Sequence, residues 1–415
     1  MTAGMRQTRK HGRSRFTRGM LCTLAAVGVW TAGTANAAPV AVAAPGQPQQ
    51  WYLDAMRAEE MWKVTTGQGI KVAVIDTGVN ASTPSLKGQV LKGLDATGAK
   101  GEETDDYEGH GTTMAELIAG TGKGGGLRGL APGAKIIPMR VSDTEFQNKN
   151  KVNAQDASDA IRAAADSDAQ IISMSMGSEF SSPETRAAAK YAQSKGKLFF
   201  ASAGNNAEEG NKPEYPAAYP DVVGVASADS KGKVAEYSQH GDNVDLAAPG
   251  NDIPAWCDTK FRSYCDSGGT SPATAIASAS AALIWSAHPD WTANQVLHAL
   301  IDTAARDWAK GTRSNYLGHG LIRPRQIILD GKGDPGPADV SPLTNEKTGG
   351  PPASAAPSAP ASSQPPKDQP TSDAVVTGSG KNAEDDSSLG LILGGVAVVV
   401  VLAGAAFFVI RRRSA

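Results

Sequence analysis

Between Lys71 and His288, short β-rich runs alternate with alanine-rich helical ones, and this alternation limits the fold more than any other feature of the chain. Lys71 to Ile75, Ile136 to Val141, Ala169 to Met174, Leu198 to Ala201 and Val222 to Ala226 read as buried strands, while Thr112 to Ala119, Ala154 to Ala165 and Pro272 to His288 read as helices. Parallel strands need crossover connections, so the expected class is α/β, with a mostly parallel sheet covered on both faces. Ligands in such sheets bind at the carboxyl ends of the strands, and Asp76 directly follows the first strand.

Three short motifs stand on this framework in the order Asp, His, Ser: Val74-Ile75-Asp76-Thr77-Gly78, Gly109-His110-Gly111-Thr112 and Gly269-Thr270-Ser271. Together they supply a carboxylate to orient an imidazole, an imidazole to take a proton, and a hydroxyl to attack a carbonyl. Singly, each has an ordinary structural use, since Asp after a strand caps a turn and Ser before an alanine-rich run caps a helix. The chemistry is carried by the ordered set. Of the six histidines, His319 repeats part of the pattern in Gly318-His319-Gly320, but no Thr and no helix follow it. His110 instead opens a helix, which would hold its ring on a rigid element.

The two ends of the chain read as addresses. Residues 1–37 have six Lys/Arg and no acid in the first 20, an apolar run from Leu21 to about Thr31, and Ala35-Asn36-Ala37 as a cleavage site, the layout of a signal peptide. Residues 38–50 form a short leader, and 51–330 have the composition of one globular domain. Residues 331–388 are a Pro/Ser/Ala-rich linker with too few apolar groups to fold. Residues 389–410, Leu389 to Ile410, are uncharged and long enough for a transmembrane helix. Residues 411–415 begin with Arg411-Arg412-Arg413 and form a basic tail expected to stay cytoplasmic, leaving the catalytic domain extracytoplasmic on a single-pass anchor in the cell membrane. A cell-wall sorting signal has a similar end, but no Leu-Pro-x-Thr-Gly precedes this one.

The formal net charge of −2 includes the six signal-region cations and the three in the tail, so residues 38–410 carry −11. An acidic exported domain argues against nucleic acid as a partner. Cys257 and Cys265 form an even pair suited to a short disulfide in an oxidising compartment, with two free thiols as the alternative. A metal site is not expected, because no His or second Cys pair stands at ligand spacing.

With these motifs in their order, the region from Trp51 to Asp330 resembles the subtilisin-family serine endopeptidases. It is most similar to the mycosins, membrane-anchored subtilisin-like proteases associated with type VII secretion, and that likeness rests on the layout of signal, leader, linker and terminal helix. The resemblance implies a three-layer subtilisin-like fold and a membrane-anchored serine endopeptidase that cleaves protein or peptide substrates without a cofactor. It also implies Ser271 as nucleophile, His110 as base and then acid, Asp76 as its orienting carboxylate, and Asn205 of Ala201-Ser202-Ala203-Gly204-Asn205 as oxyanion donor. Ser175-Met176-Gly177 resembles the family's substrate-binding edge, where a peptide adds as a strand, although a methionine there also suits a core. Calcium occurs in the wider family, but no acidic loop here marks a site. The rival reading is a scaffold subunit of a secretion complex with weak or dispensable proteolysis.

The chain departs from the family pattern at one point. Proline usually lies four residues beyond the nucleophile, and here Pro272 follows it directly. Proline in the first turn of a helix is tolerated, but it biases the residue before it towards extended angles. An extended Ser271 would cost activity if the hydroxyl has to be aimed from a helix.

Overall fold

The computed structural model describes residues 48–142, 149 and 156–348, all within the first of two units, Met1–Ala356 and Pro357–Ala415. The expected signal peptide, terminal helix and basic tail lie outside the described residues, as does most of the linker. Among the described residues no helix is long and apolar enough to cross a membrane.

The chain begins with two short helices, α1 (Trp51–Ala55) and α2 (Ala58–Met61), and then alternates. In order come β1 (Lys71–Asp76), β2 (Leu94–Asp95), α3 (His110–Ala119), β3 (Lys135–Arg140), α4 (Asp156–Asp166), β4 (Ile171–Met174), α5 (Pro183–Ser194) and β5 (Leu198–Ser202). After β6 (Val223–Ala228) and β7 (Leu246–Pro249), a hairpin of β8 (Ile253–Trp256) and β9 (Tyr264–Ser267) leads into α6 (Thr270–Ala287). Helices α7 (Ala293–Thr303) and α8 (Pro324–Ile328) follow.

Seven strands form one sheet in the order β2-β3-β1-β4-β5-β6-β7, and every pairing in it is parallel. Strand β1 lies between β3 and β4, so the chain leaves it on one side for β2 and β3 and on the other from β4 onwards. That reversal opens a crevice at the carboxyl end of β1, where Asp76 is the last strand residue.

Alternate residues of each strand feed separate cores, as the two-residue period of a pleated strand requires. Val72, Val74 and Phe200 face a core shared with α3, α6 and α7, whereas Ala73, Ile75 and Phe199 face one shared with α4 and α5. Helix α6 is buried almost throughout and runs behind β4 to β7. Its small side chains let it approach the sheet closely.

The strands and helices expected from the alternation are present, with ends shifted by a residue or two. Helix α5 and strand β7 are additions. The α5 sequence, Pro183-Glu184-Thr185 followed by an alanine-rich run, carries its own start signal, because Ser182 accepts a hydrogen bond from the Thr185 N–H. Strand β7 is Leu246-Ala247-Ala248-Pro249, a sequence with little intrinsic strand preference that pairing with β6 holds extended.

Residues 331–348, which composition assigns to the linker, are held against α7. His298 Nδ1 lies 2.7 Å from the Asp334 carbonyl, Thr292 and Asn294 both donate to the Ala338 carbonyl, and Leu343 packs on the main core. Cys257 and Cys265 are joined as a disulfide across the β8–β9 hairpin.

Candidate active site

Asp76 and His110 are brought together by glycines. Beyond β1 the backbone turns through Gly78 at φ +109°, where a Cβ would stand 2.4 Å from the Asp105 carbonyl oxygen. The first turn of α3 then presses on this loop, so that a Cβ on Gly111 would lie 2.1 Å from the Gly78 oxygen. Only glycine allows both approaches. The result is a 2.6 Å contact between His110 Nδ1 and Asp76 Oδ1.

Asp76 is fully buried, whereas 37 % of the His110 side chain remains exposed. The Thr77 N–H also donates to Asp76 Oδ1, at 2.8 Å. Burial opposes the charged form of His110, but the negative charge and hydrogen bond of Asp76, with Asp106 and Glu108 beyond, outweigh it and raise the imidazole to about 9. A general base must be neutral to accept a proton, so kcat/KM is expected to rise with pH through a value displaced upward from the ordinary 6.5 towards about 9. A pH–rate profile with its acid limb at or below 6.5 would contradict this. The associated stability has the matching sign: it is complete below the unfolded value and is lost as pH rises through the folded one.

Asp106 is a residue of this site that the motifs did not reveal. Its Oδ1 accepts from Thr77 Oγ1, Glu108 N and Gly109 N, and its Oδ2 from Thr112 N and Thr112 Oγ1, at 2.6 to 3.1 Å. One buried carboxylate therefore ties the β1 loop to the unsatisfied N–H groups that open α3. The available signal was an acidic residue four positions before His110, just ahead of a helix start.

Ser271 is the second residue of α6, and therefore helical. The expected displacement by Pro272 does not occur. Pro272 is the third helical residue, among the first four whose N–H groups have no carbonyl partner inside the helix, and no preceding turn is present for its ring to strike. The Ser271 hydroxyl donates to the Ser175 carbonyl at 3.0 Å rather than to His110, and Ser175 Oγ donates back to the Ser271 carbonyl at 3.2 Å. Catalytic hydrogen bonds are often unmade before substrate binds, and rotation about one side-chain bond redirects a serine hydroxyl.

The orientation of Asn205 follows from its neighbour. The Thr270 N–H, which can only donate, lies 2.9 Å from the Asn205 side-chain oxygen, and Thr270 Oγ1 lies 3.1 Å from the same atom. This leaves the amide nitrogen free to donate beside the positive end of α6. Asn205→Ala is expected to lower kcat by about 100- to 1,000-fold with little change in KM, measured by steady-state peptide hydrolysis.

His110, Asn205 and Ser271 line one pocket of about 350 Å³. Its far wall is the β8–β9 hairpin, where Trp256 stacks on Tyr264 and the Trp256 N–H reaches Thr113 Oγ1 on α3. Ser175 is buried and bonded to Ser271, Met176 is half-buried against the second core, and Gly177 is exposed; Met176 and Gly177 line a separate cavity with Tyr215 and Pro216 rather than this pocket. His319 does not line the pocket, and burial followed by the Arg313 and Arg306 cations lowers its imidazole to about 4. Among the described residues no group of three or more His, Cys, Asp or Glu converges as a metal site.

A carboxylate–imidazole pair facing a helix-borne serine, with an amide donor beside it, is the arrangement of a nucleophilic serine hydrolase. Residues 67–320, more than half of the chain, match the subtilase family (Peptidase_S8), and the chain belongs to that family. The major intracellular serine protease of Bacillus subtilis is 36 % identical over 239 residues, covering 56 % of this chain and 73 % of the relative. Thermitase of Thermoactinomyces vulgaris is 33 % identical over 276 residues, 65 % of this chain and 95 % of the relative. Among solved structures, MycP1 from Mycobacterium smegmatis superposes with a TM-score of 0.60 at 26 % identity, covering 71 % of this chain and 88 % of that one. MycP3 protease from the type VII (ESX-3) secretion system gives 0.57 at 29 % identity, covering 68 % and 89 %. The chain is a subtilisin-like serine protease, and the resemblance to mycosins extends to the three-dimensional structure.

Proposed function

We propose that the protein is a membrane-anchored, extracytoplasmic serine endopeptidase associated with type VII secretion. In this reading Ser271 attacks the peptide carbonyl and His110 accepts the hydroxyl proton, then gives it to the leaving amine. Asp76 fixes the ring tautomer, while Asn205 and the Ser271 backbone N–H stabilise the oxyanion. The substrate chain lies along Ser175-Met176-Gly177 as an added strand. The observation that carries the reading is the 2.6 Å Asp76–His110 pair, its carboxylate buried and its imidazole open to the pocket that also holds Ser271 and Asn205.

Anchoring is proposed from Leu389 to Ile410 with its following arginines, and export from the first 37 residues. Association with a secretion system is carried over from MycP1 and MycP3. The purified full-length protein should cleave unstructured peptides and take one equivalent of a fluorophosphonate at Ser271, and Ser271→Ala should do neither. Equal cleavage and labelling by the two proteins would overturn the proteolytic assignment. Recovery in the membrane fraction, with the catalytic domain sensitive to added protease in intact cells, tests the topology.

A further inference from the structure

Glu116 is a fully buried carboxylate on α3, the helix that His110 opens, and the mechanism above does not use it. Its neighbours Ala115, Leu117, Ile118 and Ala119 all belong to the main core. Thr83 Oγ1 donates to its Oε1 at 2.8 Å and the Tyr264 hydroxyl to its Oε2 at 2.6 Å. Among the described residues no Lys, Arg or His forms an ion pair with it. Burial pushes the carboxyl up to about 7, against the pull of the Tyr264 and Thr83 hydrogen bonds. An apolar side chain would fill this place without that desolvation cost, so the carboxylate is explained by what it holds rather than by packing.

What it holds is the wall of the active-site pocket. Tyr264 on β9 stands opposite Trp256 on β8, and their rings stack with centroids 3.9 Å apart. Trp256 lines the pocket with His110 and Ser271, and a Cβ on Gly109, the residue before His110, would lie 3.5 Å from Trp256 Cβ. The Cys257–Cys265 disulfide ties the two hairpin strands to each other but not to the rest of the domain. The aromatic pair is joined to α3 by two hydrogen bonds, from the Tyr264 hydroxyl to Glu116 and from the Trp256 backbone N–H to Thr113 Oγ1 at 3.2 Å. The Leu127 N–H, at 3.3 Å, donates to the same Tyr264 hydroxyl and helps to fix its direction.

The half of a substrate that meets this wall follows from the position of the pocket. A peptide laid along Ser175-Met176-Gly177 runs past a different cavity, since Met176 and Gly177 do not line the pocket of Trp256. His110, which hands a proton to the leaving amine, opens on the latter. The chain beyond the scissile bond therefore lies between α3 and the hairpin.

We propose that Glu116 is a positioning residue for the leaving half of the substrate: by anchoring Tyr264 it sets the distance of the Trp256 wall from His110. The inference rests on the proteolytic reading and deepens it, because Glu116 touches neither substrate nor the reacting atoms. A hydroxyl bound to a buried carboxylate is a strong, directional tether, and a wall released from it no longer holds the leaving amine in line with His110.

The test compares two substrates that share one acyl half, a peptide anilide that ends at the scissile bond and a peptide that continues three residues beyond it. The full-length protein should favour the extended peptide in kcat/KM. Tyr264→Phe, which keeps the ring stack and removes the hydroxyl, and Glu116→Leu should each lower the extended-to-short ratio by about 10-fold or more. Glu116→Gln should keep the ratio within a few-fold of wild type, because its amide accepts from Tyr264 and donates to Thr83 Oγ1. Cleavage of the short anilide and fluorophosphonate labelling at wild-type rates show that each variant is folded with its nucleophile intact, and Tyr264→Phe carries the test if Glu116→Leu does not fold. A ratio unchanged in Tyr264→Phe, a parallel loss on both substrates, or a Glu116→Gln as impaired as Glu116→Leu overturns the positioning role and leaves proteolysis standing. A wild type that cleaves neither substrate and fails to label overturns both.

Discussion

Ser271→Ala and His110→Ala are each expected to lower kcat by about a million-fold, and the double variant to be no slower than either alone. The two groups act on a single proton, so once one is gone the other has nothing to do. Residual hydrolysis, on the order of 1,000-fold over water, should persist from Asn205, the α6 N-terminus and substrate positioning. KM should change little, because the hydroxyl lies at the point of attack rather than along the binding edge. Single-turnover and steady-state hydrolysis of one peptide by the four proteins decides the matter. Multiplicative losses in the double variant would mean that Ser271 and His110 do not work as a unit, and would point to another proton acceptor for the serine. The Ser271 hydroxyl bonds the Ser175 carbonyl rather than His110, so the coupling depends on a rotation of the serine side chain.

Asp76→Asn is expected to lower kcat by about 10,000-fold at neutral pH with the fold retained. The physical reason is a tautomer. With a carboxylate at 2.6 Å, His110 Nδ1 must carry the proton, so Nε2 is the basic nitrogen facing the pocket. An amide that turns its NH2 towards the ring reverses this, leaving the basic nitrogen buried. The same substitution removes the main influence that raises the His110 imidazole, so its titration should fall back towards or below 6.5. NMR titration of His110 in Asp76→Asn reads that shift independently of rate. A large rate loss without any change in the titration would assign Asp76 a purely structural part.

The sequence was most informative where chemistry is concentrated in adjacent residues. Asp76, His110 and Ser271 lie in glycine-bearing motifs legible in the sequence, although the need for glycine at Gly78 and Gly111 comes from the close approach of the β1 loop to Asp105 and to the first turn of α3. Asp106 was passed over because it stands in no motif and draws its significance from a loop 29 residues before it: it joins Thr77 to Thr112. The β8–β9 wall was equally hidden, since its strands are short and their role comes from stacking and from the bond between Trp256 N and Thr113.

Pro272 separates the two levels of information most clearly. A local rule, that proline biases its predecessor away from the helix, suggested a displaced nucleophile. In the folded chain Ser271 is helical, because α6 is fixed by burial along nearly its whole length and the proline falls in the first turn, where neither its ring nor its missing N–H matters.

The sequence by itself determined the α/β class, the reactive groups and their order, because strand and helix periodicity and glycine-bearing turns are properties of neighbouring residues. Only the tertiary structure decided which groups meet and how His110 and Asn205 are oriented. Those are contacts between residues 34 to 96 positions apart, set by how the sheet and its two cores pack together.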